Sequence, residues 1–223
     1  MQPDRRVPWL LVLAPFIVQF AALAMLTLVL RPPSGADGIY SVRFGVVVLG
    51  SYAALVGATM FVADRHGDPE TTLALRRTPV GWTAGAVAVT FGVAIAASLA
   101  LEPIFHGVRE QGFDPGPFPG GASAVVAVIL AFIGVGIAGP IAEELYFRGL
   151  LQGSFERFGQ PIAIGATAVI FAAVHFVPAA FPVLAVYGLM LGLIRSRSRS
   201  IVPGMIAHAL NNSVALVLAL AVT

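Results

Sequence analysis

Long apolar segments restrict what this chain of 223 residues can fold into. Since a lipid bilayer leaves the backbone no water to bond to, a spanning segment must be a helix or a barrel strand, and about 20 residues at ~1.5 Å each is helix length. The sixth segment has 14 residues, which is short for a span. The sequence predicts an all-α, polytopic transmembrane helical bundle of about seven spans, near residues 7–30, 44–63, 80–101, 122–151, 161–178, 181–194 and 201–222.

Composition supports a membrane protein and excludes several other classes. Hydrophobic residues make up 58% of the chain and charged residues 11%, whereas a soluble domain is about 45–50% apolar. Cysteine is absent, which excludes disulfides, cysteine metal sites and a thiol nucleophile. The net charge of +2 comes from arginines in loops and not from a basic face, so we expect no nucleic-acid partner.

The spans are expected to form one membrane domain over residues 1–223, because no polar linker or internal repeat divides them. Residues 7–121 would form three N-terminal spans and an external loop, and residues 122–222 the part that carries the chemistry.

The first segment allows two interpretations. Arg5 and Arg6 precede an apolar stretch that contains Ala22-Leu23-Ala24, as in a signal peptide with its cleavage site. The stretch continues to Leu30, however, which is span length and favours a retained first helix.

Arginine placement predicts the orientation. With seven crossings and a cytoplasmic N-terminus, only Arg31, Arg43 and Arg109 fall outside. This asymmetry matches the positive-inside rule, and without the sixth crossing the arginines of 195–199 would lie on the wrong side. We therefore expect a multi-pass protein of the cell membrane with these arginines in the cytoplasm: Arg5, Arg6, Arg65, Arg76, Arg77, Arg148, Arg157, Arg195, Arg197 and Arg199.

Two polar loops have alternative interpretations. Segment 64–79 is either a short interfacial helix with its arginines among lipid headgroups or a solvated connector. The external loop 102–121 is expected to be a hydrated loop and less readily a metal site, although it carries Glu102, His106, Arg109, Glu110 and Asp114.

The segment from Gly139 to Gly149 places two carboxylates and an arginine in an apolar run. An ionisable residue at membrane depth costs ~2.5–3.5 kcal/mol or more, so the three need a shared reason. Glu144 and Arg148 are spaced i,i+4 and predict an ion pair on one helix face. Glu143 is rotated by ~100° from Glu144 and stays free of that pair, which makes it the candidate general base. The helix is expected to be kinked or loosened before the carboxylates by Gly134, Gly136, Gly139 and Pro140.

Two histidines complete the candidate site. The fourth and fifth helices meet at Gly159, from which Glu143 and His175 are each 16 residues away, so an antiparallel pair places them level. His208 and Asn212, spaced i,i+4 on the last helix, can point to one site. This set suits acyl-transfer chemistry, in which Glu143 and His175 deprotonate a water while His208 and Asn212 stabilise the oxyanion.

Three motifs in this order, Glu143-Glu144-x-x-x-Arg148, Phe171-x-x-x-His175 and His208-x-x-x-Asn212, resemble the CPBP family of intramembrane proteases. This family comprises the type II CAAX prenyl endopeptidases and bacterial proteins tied to bacteriocin processing and immunity. The resemblance covers about residues 122–217 and makes 122–222 a CPBP-like catalytic core.

The resemblance implies a glutamate protease without a required metal or other cofactor. It implies that Glu143 and His175 activate water, that Glu144, His208 and Asn212 support the site and the oxyanion, and that Arg148 and Phe171 are structural. The implied partners are the lipid bilayer and a peptide or protein substrate. The substrate need not be prenylated, and membrane-anchored proteins are among the candidates.

Several alternatives stay open. Two histidines and a glutamate would also satisfy a catalytic zinc, although no His-Glu-x-x-His pair is present. A Glu/His ion relay and a non-catalytic immunity protein are further alternatives. An aspartyl protease fits poorly because every Asp lies in a loop or at the terminus, and a serine protease because Ser123 lies at the opposite end from His208.

Overall fold

The computed structural model describes residues 7–34, 38–106 and 116–221. The predictions that concern Arg5, Arg6, Arg109, Glu110 and Asp114 lie outside the described residues.

The described residues are helical and contain no strand. This confirms the all-α bundle, and the apolar helices together with their length confirm a multi-pass membrane protein. The helices are α1 (Trp9–Leu30), α2 (Val42–His66), α3 (Pro69–Thr72), α4 (Val80–Phe105), α5 (Ala122–Phe158), α6 (Gln160–Ala173), α7 (Phe181–Ser198, after a 3-10 turn at Pro178–Ala180) and α8 (Val202–Ala221).

Six of these helices are long and apolar enough to cross a membrane. The sequence indicated that the sixth apolar segment would be the short one, but the short apolar helix is the fifth. With its 3-10 turn, the sixth apolar segment spans 21 residues, so the doubt about it was wrong. The apolar run ends at Ile194, but the helix continues to Ser198, and the buried Arg195 in this extension donates through Nε to the carbonyl oxygen of Arg148 at 2.9 Å. The fifth helix, α6, is the short one with 14 residues.

The turn between α5 and α6 follows the prediction. Gly159 has a φ of +94°, a conformation that favours glycine, and it separates the two helices. Pro161 lies in the first turn of α6, where backbone N–H groups have no acceptor within the helix. The N–H group that proline lacks is therefore not needed there.

Segment 64–79 begins within the last turn of α2, and the rest of it contains one short helix, α3. Asp68 caps it by accepting hydrogen bonds from the backbone N–H and the hydroxyl of Thr71, both at 2.9 Å, and these bonds lower the pKa of the Asp68 carboxyl. Leu73 and Ala74 follow and are buried, with Ala74 accepting a backbone hydrogen bond from Ile201. The helix of this segment is therefore short, and part of the segment packs against the protein.

Helix α5 is the central element of the bundle. Helix α2 packs between α1 and α5, while α8 packs against α5 on one side and α4 on the other. Helix α7 contacts both α4 and α6. All residues of 144–151 are buried, so the stretch that carries the charges is also a well-packed part of the chain.

Candidate active site

Two π-helical segments flank the carboxylates of α5. They cover Phe132–Ala138 and Glu144–Leu151 and are separated by the short α-helical Gly139–Glu143. Pro140 lies in that short piece, and its missing N–H group interrupts the regular hydrogen-bond ladder. The loosened helix that the glycines and Pro140 predict is thus present as π-helix, a feature that is frequent at functional sites.

Glu144 and Arg148 form the predicted ion pair, with Arg148 Nη1 2.9 Å from Glu144 Oε1 and both side chains 0% exposed. The second guanidinium nitrogen, Nη2, donates to the carbonyl oxygen of Gly188 at 3.2 Å. The Phe171 ring lies under the guanidinium, with its centroid 4.3 Å from Cζ. Arg148 is therefore fixed by α5, α6 and α7 together.

His208 joins the two carboxylates from α8. Its Nδ1 is 3.1 Å from Glu144 Oε1, and its Nε2 is 3.8 Å from Glu143 Oε2. Because an ionised carboxylate only accepts hydrogen bonds, we assign the proton at Nδ1, which orients the ring and turns Nε2 towards Glu143. The ring is 3% exposed and lies between Phe171 and Tyr187, at 5.8 and 5.5 Å.

The close approach of α8 to Glu144 depends on Gly204. A Cβ at this position would lie 2.9 Å from Glu144 Oε2. This carboxylate oxygen is buried and has no hydrogen-bond partner among the described residues. The absence of a side chain at Gly204 therefore lets His208, one turn further along α8, reach the ion pair.

Glu143 has a different environment from its neighbour. Its side chain is 15% exposed, and Oε1 accepts a hydrogen bond from the Tyr52 hydroxyl at 3.0 Å. The Tyr52 ring packs on Gly139, where a Cβ would lie 2.8 Å from it. Glu143 thus keeps access to a water or substrate while one of its oxygens is held in place.

Sequence reasoning missed Tyr52, which comes from the N-terminal part of the chain. A tyrosine within a span is also common as an interfacial or core aromatic, so its type alone did not indicate a site residue. The available signal was a phenol in the middle of the largely apolar α2. Contact with Glu143 over 91 positions of sequence cannot be inferred from spacing.

His175 does not lie on a helix that faces Glu143, so that part of the prediction was wrong. Helix α6 ends at Ala173, and His175 lies in the following turn, before Phe176 with its left-handed φ of 56°. Its Nδ1 donates to the Phe171 carbonyl oxygen at 2.7 Å, which leaves Nε2 as the basic nitrogen. The ring is half-buried and packs edge-on against Phe171 at 4.8 Å, and no hydrogen bond or ion pair joins it to Glu143, both residues being in the described part.

Asn212 lies one turn beyond His208 on α8, as the spacing predicts. Its Nδ2 donates to the carbonyl oxygen of Val135 at 3.3 Å, within the first π-helical segment. This bond uses one of the two amide hydrogens and leaves the other to donate elsewhere.

The carboxylates and histidines do not form a preassembled metal cage. Across residues 7–34, 38–106 and 116–221, no group of three or more His, Cys, Asp or Glu side chains is arranged to hold a metal ion. The prediction of a metal-free site stays a prediction, because this arrangement alone does not test it.

A comparison with known families matches the part of the chain that contains these site residues. Residues 124–214 match the family model described as type II CAAX prenyl endopeptidase Rce1-like. No curated protein and no solved structure matches the chain. The match covers α5 to most of α8, the segment that contains Glu143, Glu144, Arg148, His175, His208 and Asn212.

Proposed function

Since residues 124–214 belong to the type II CAAX prenyl endopeptidase Rce1-like family, which indicates a membrane peptidase, we propose that Glu143 is the base that activates water in this enzyme. The observation that carries the proposal is the contrast between adjacent carboxylates. Glu144 is fully buried and bonded to Arg148 and His208, whereas Glu143 is partly exposed, with a hydrogen bond from Tyr52 to Oε1 and with Oε2 3.8 Å from His208 Nε2.

The reaction begins with a water held between Glu143 and His175. Glu143 takes a proton from this water as the oxygen attacks the carbonyl carbon of the scissile peptide bond. Nε2 of His175 accepts a hydrogen bond from the same water and orients it. When the tetrahedral intermediate collapses, the proton passes from Glu143 to the leaving nitrogen, so that one water is consumed and an acid and an amine are released.

The negative charge of the intermediate is stabilised from α8. The second amide hydrogen of Asn212 donates to the oxyanion. His208 donates through Nε2, which requires a proton on both ring nitrogens because Nδ1 donates to Glu144. Oε1 of Glu144, which is held by Arg148, lies 3.1 Å from Nδ1 of His208 and fixes the orientation of the ring.

The substrate is a peptide or protein segment that reaches membrane depth on the side where α5 ends. The family description makes a prenylated CAAX peptide the first candidate, and an unmodified membrane-anchored segment is the second. The orientation of this side towards the cytoplasm is the one that the arginines predict.

The test compares the full-length protein with Glu143→Gln, which keeps size and polarity but removes the base. Both proteins are reconstituted in nanodiscs and incubated with peptides that carry or lack an S-farnesyl cysteine near the C-terminus, and products are identified by mass spectrometry. We expect the variant to lose about 10²- to 10⁴-fold of the cleavage rate, the range for a general base. Glu70→Gln, which changes an exposed carboxylate of α3, is the control and should cleave normally.

Two further results would refute this mechanism. Persistent cleavage by Glu143→Gln would show that another group activates the water. Loss of cleavage on metal chelation, with recovery on addition of zinc, would replace the metal-free site by a zinc site. An ion relay, in contrast, would give no cleavage but Glu143-dependent proton flux across the membrane of sealed proteoliposomes.

A further inference from the structure

A second polar site lies at one end of the bundle, separate from the carboxylates. It is a cavity of about 430 Å³ that is lined by Val7 just before α1, the end of α2, α3, the end of α5 and the last turn of α7. Its polar side chains are those of His66, Thr71, Thr72, Ser154, Glu156, Arg157 and Arg195. The elements that meet here carry arginines, as expected where helices leave the hydrocarbon region.

Arg157 is the cation of this cavity that lacks an acceptor. Its Nε and Nη2 atoms are buried and have no hydrogen-bond partner among the described residues. No carboxylate in this part of the chain forms an ion pair with it, since Glu156 pairs with Arg195. A guanidinium with unsatisfied donors at the wall of a polar cavity can bind an anion through those donors.

Aromatic rings hold the Arg157 side chain. Its Cζ lies 4.1 Å from the centroid of the Trp9 ring and 5.4 Å from that of Phe158. Trp9 also packs on Phe155 at 4.9 Å. Tryptophan prefers the headgroup level of a bilayer, so these rings place the guanidinium at the depth where lipid phosphates lie.

The charge and the hydroxyl groups of the cavity favour a phosphate. Arg157 and Arg195 against Glu156 leave one net positive charge if His66 is neutral. Arg195 bonds both Glu156 and the Arg148 carbonyl oxygen, so Arg157 is the arginine with donors left for a ligand. Thr72 lines the same cavity and can donate its hydroxyl hydrogen.

We propose that this cavity binds a phosphate group, with Arg157 as the principal ligand and Thr72 as a second donor. The phosphate belongs either to a phospholipid headgroup or to a soluble phosphate compound, and the position of Trp9 favours the lipid. The proposal is independent of the peptidase mechanism, because none of its residues takes part in the activation of water.

The test measures binding to the full-length protein after delipidation in detergent. The probes are dioleoyl phosphatidic acid, dioleoylglycerol, which is the same lipid without its phosphate, and inorganic phosphate. Native mass spectrometry gives the bound lipid, and thermal unfolding gives the stabilisation by each probe. We expect the wild type to bind phosphatidic acid and not dioleoylglycerol, and Arg157→Gln to bind it at least about tenfold more weakly.

Matched variants separate binding from folding. Arg197→Gln removes an exposed arginine of α7 that does not line the cavity, and it should bind as the wild type does. Thr72→Val leaves the packing of Arg157 on Trp9 intact and should weaken binding by a smaller factor, so it remains informative if Arg157→Gln unfolds. Stabilisation by inorganic phosphate equal to that by phosphatidic acid would assign the site to a soluble compound. Equal affinity of wild type and Arg157→Gln, equal binding of dioleoylglycerol, or no binding of any probe would overturn the proposal.

Discussion

The candidate active site has two sides, and each side surrounds one of two adjacent glutamates with a different environment. The closed side consists of Glu144, Arg148 and His208, which are buried and bond to one another. The open side consists of Glu143, Tyr52 and His175, which are partly accessible and share only the Tyr52 to Glu143 hydrogen bond. The two adjacent glutamates thus differ in their partners and in exposure, which is 0% for the Glu144 side chain and 15% for that of Glu143.

The difference follows from the physical demands of each role. A charge that is removed from water must be paired, or its burial costs several kcal/mol. A base must instead keep an accessible oxygen for the proton that it takes. We therefore expect substitutions on the closed side to lower the stability strongly. Substitutions on the open side should lower turnover with little change in stability.

Removal of the Arg148 charge should have the largest effect on stability. Arg148→Met keeps much of the side-chain volume but leaves Glu144 buried beside His208 without its arginine. We expect a loss of about 3–5 kcal/mol in the free energy of unfolding, the usual cost of breaking a buried pair. The measurement is reversible unfolding in mixed detergent micelles.

The matched control for this variant is Arg197→Met, because Arg197 is exposed on α7. It should change the free energy of unfolding by less than about 0.5 kcal/mol. A loss for Arg148→Met as small as that of the control would mean that the closed side does not depend on the ion pair.

A methyl group at Gly204 should have a smaller effect on the same side. In Gly204→Ala the new Cβ meets Glu144 Oε2 at 2.9 Å, so α8 or the carboxylate must shift. Such overpacking costs about 1–3 kcal/mol. Gly57→Ala in α2 is the control, since nothing lies within 4 Å of its Cβ and alanine favours helix there. Equal stability of the two variants would show that α8 can move away from Glu144 without cost.

Local rules predicted the ion pair of the closed side but not the bond between His208 and Glu144. The i,i+4 spacing of Glu144 and Arg148 identified the ion pair, because a side-chain pair within one helix depends on few other elements. The turn at Gly159, where a positive φ favours glycine, and the all-α architecture, which follows from long apolar segments, were likewise encoded locally in the sequence. The family assignment rests on the three motifs, and the match to residues 124–214 confirms it.

The open side could not be predicted to the same extent, because it depends on where elements end and which ones meet. The helix that leads to His175 stops at Ala173, while the apolar run continues to residue 178 and gives no sign of the end. Hydropathy likewise stopped the sixth span at Ile194, since it cannot show that Arg195 is bonded to a carbonyl. The level pairing of Glu143 with His175, the roles of the site residues and the orientation remain predictions.

The smallest of these effects concerns Tyr52, and it separates positioning from packing. Tyr52→Phe removes the hydroxyl that bonds Glu143 Oε1 but keeps the ring on Gly139. We expect kcat to fall by about tenfold with KM unchanged, because one hydrogen bond to a charged group is worth roughly this factor, and the free energy of unfolding to change by less than about 1 kcal/mol.

Tyr146→Phe is the control for this variant, because Tyr146 is a buried tyrosine of α5 whose ring stacks on Phe16 at 5.5 Å. It should leave kcat and KM as they are in the wild type. An unchanged kcat in Tyr52→Phe would show that the hydroxyl does not hold Glu143 for the reaction. A fall in stability as large as that of Gly204→Ala would instead move Tyr52 to the closed side, and the distinction between the two glutamates would then depend on exposure and not on the number of their partners.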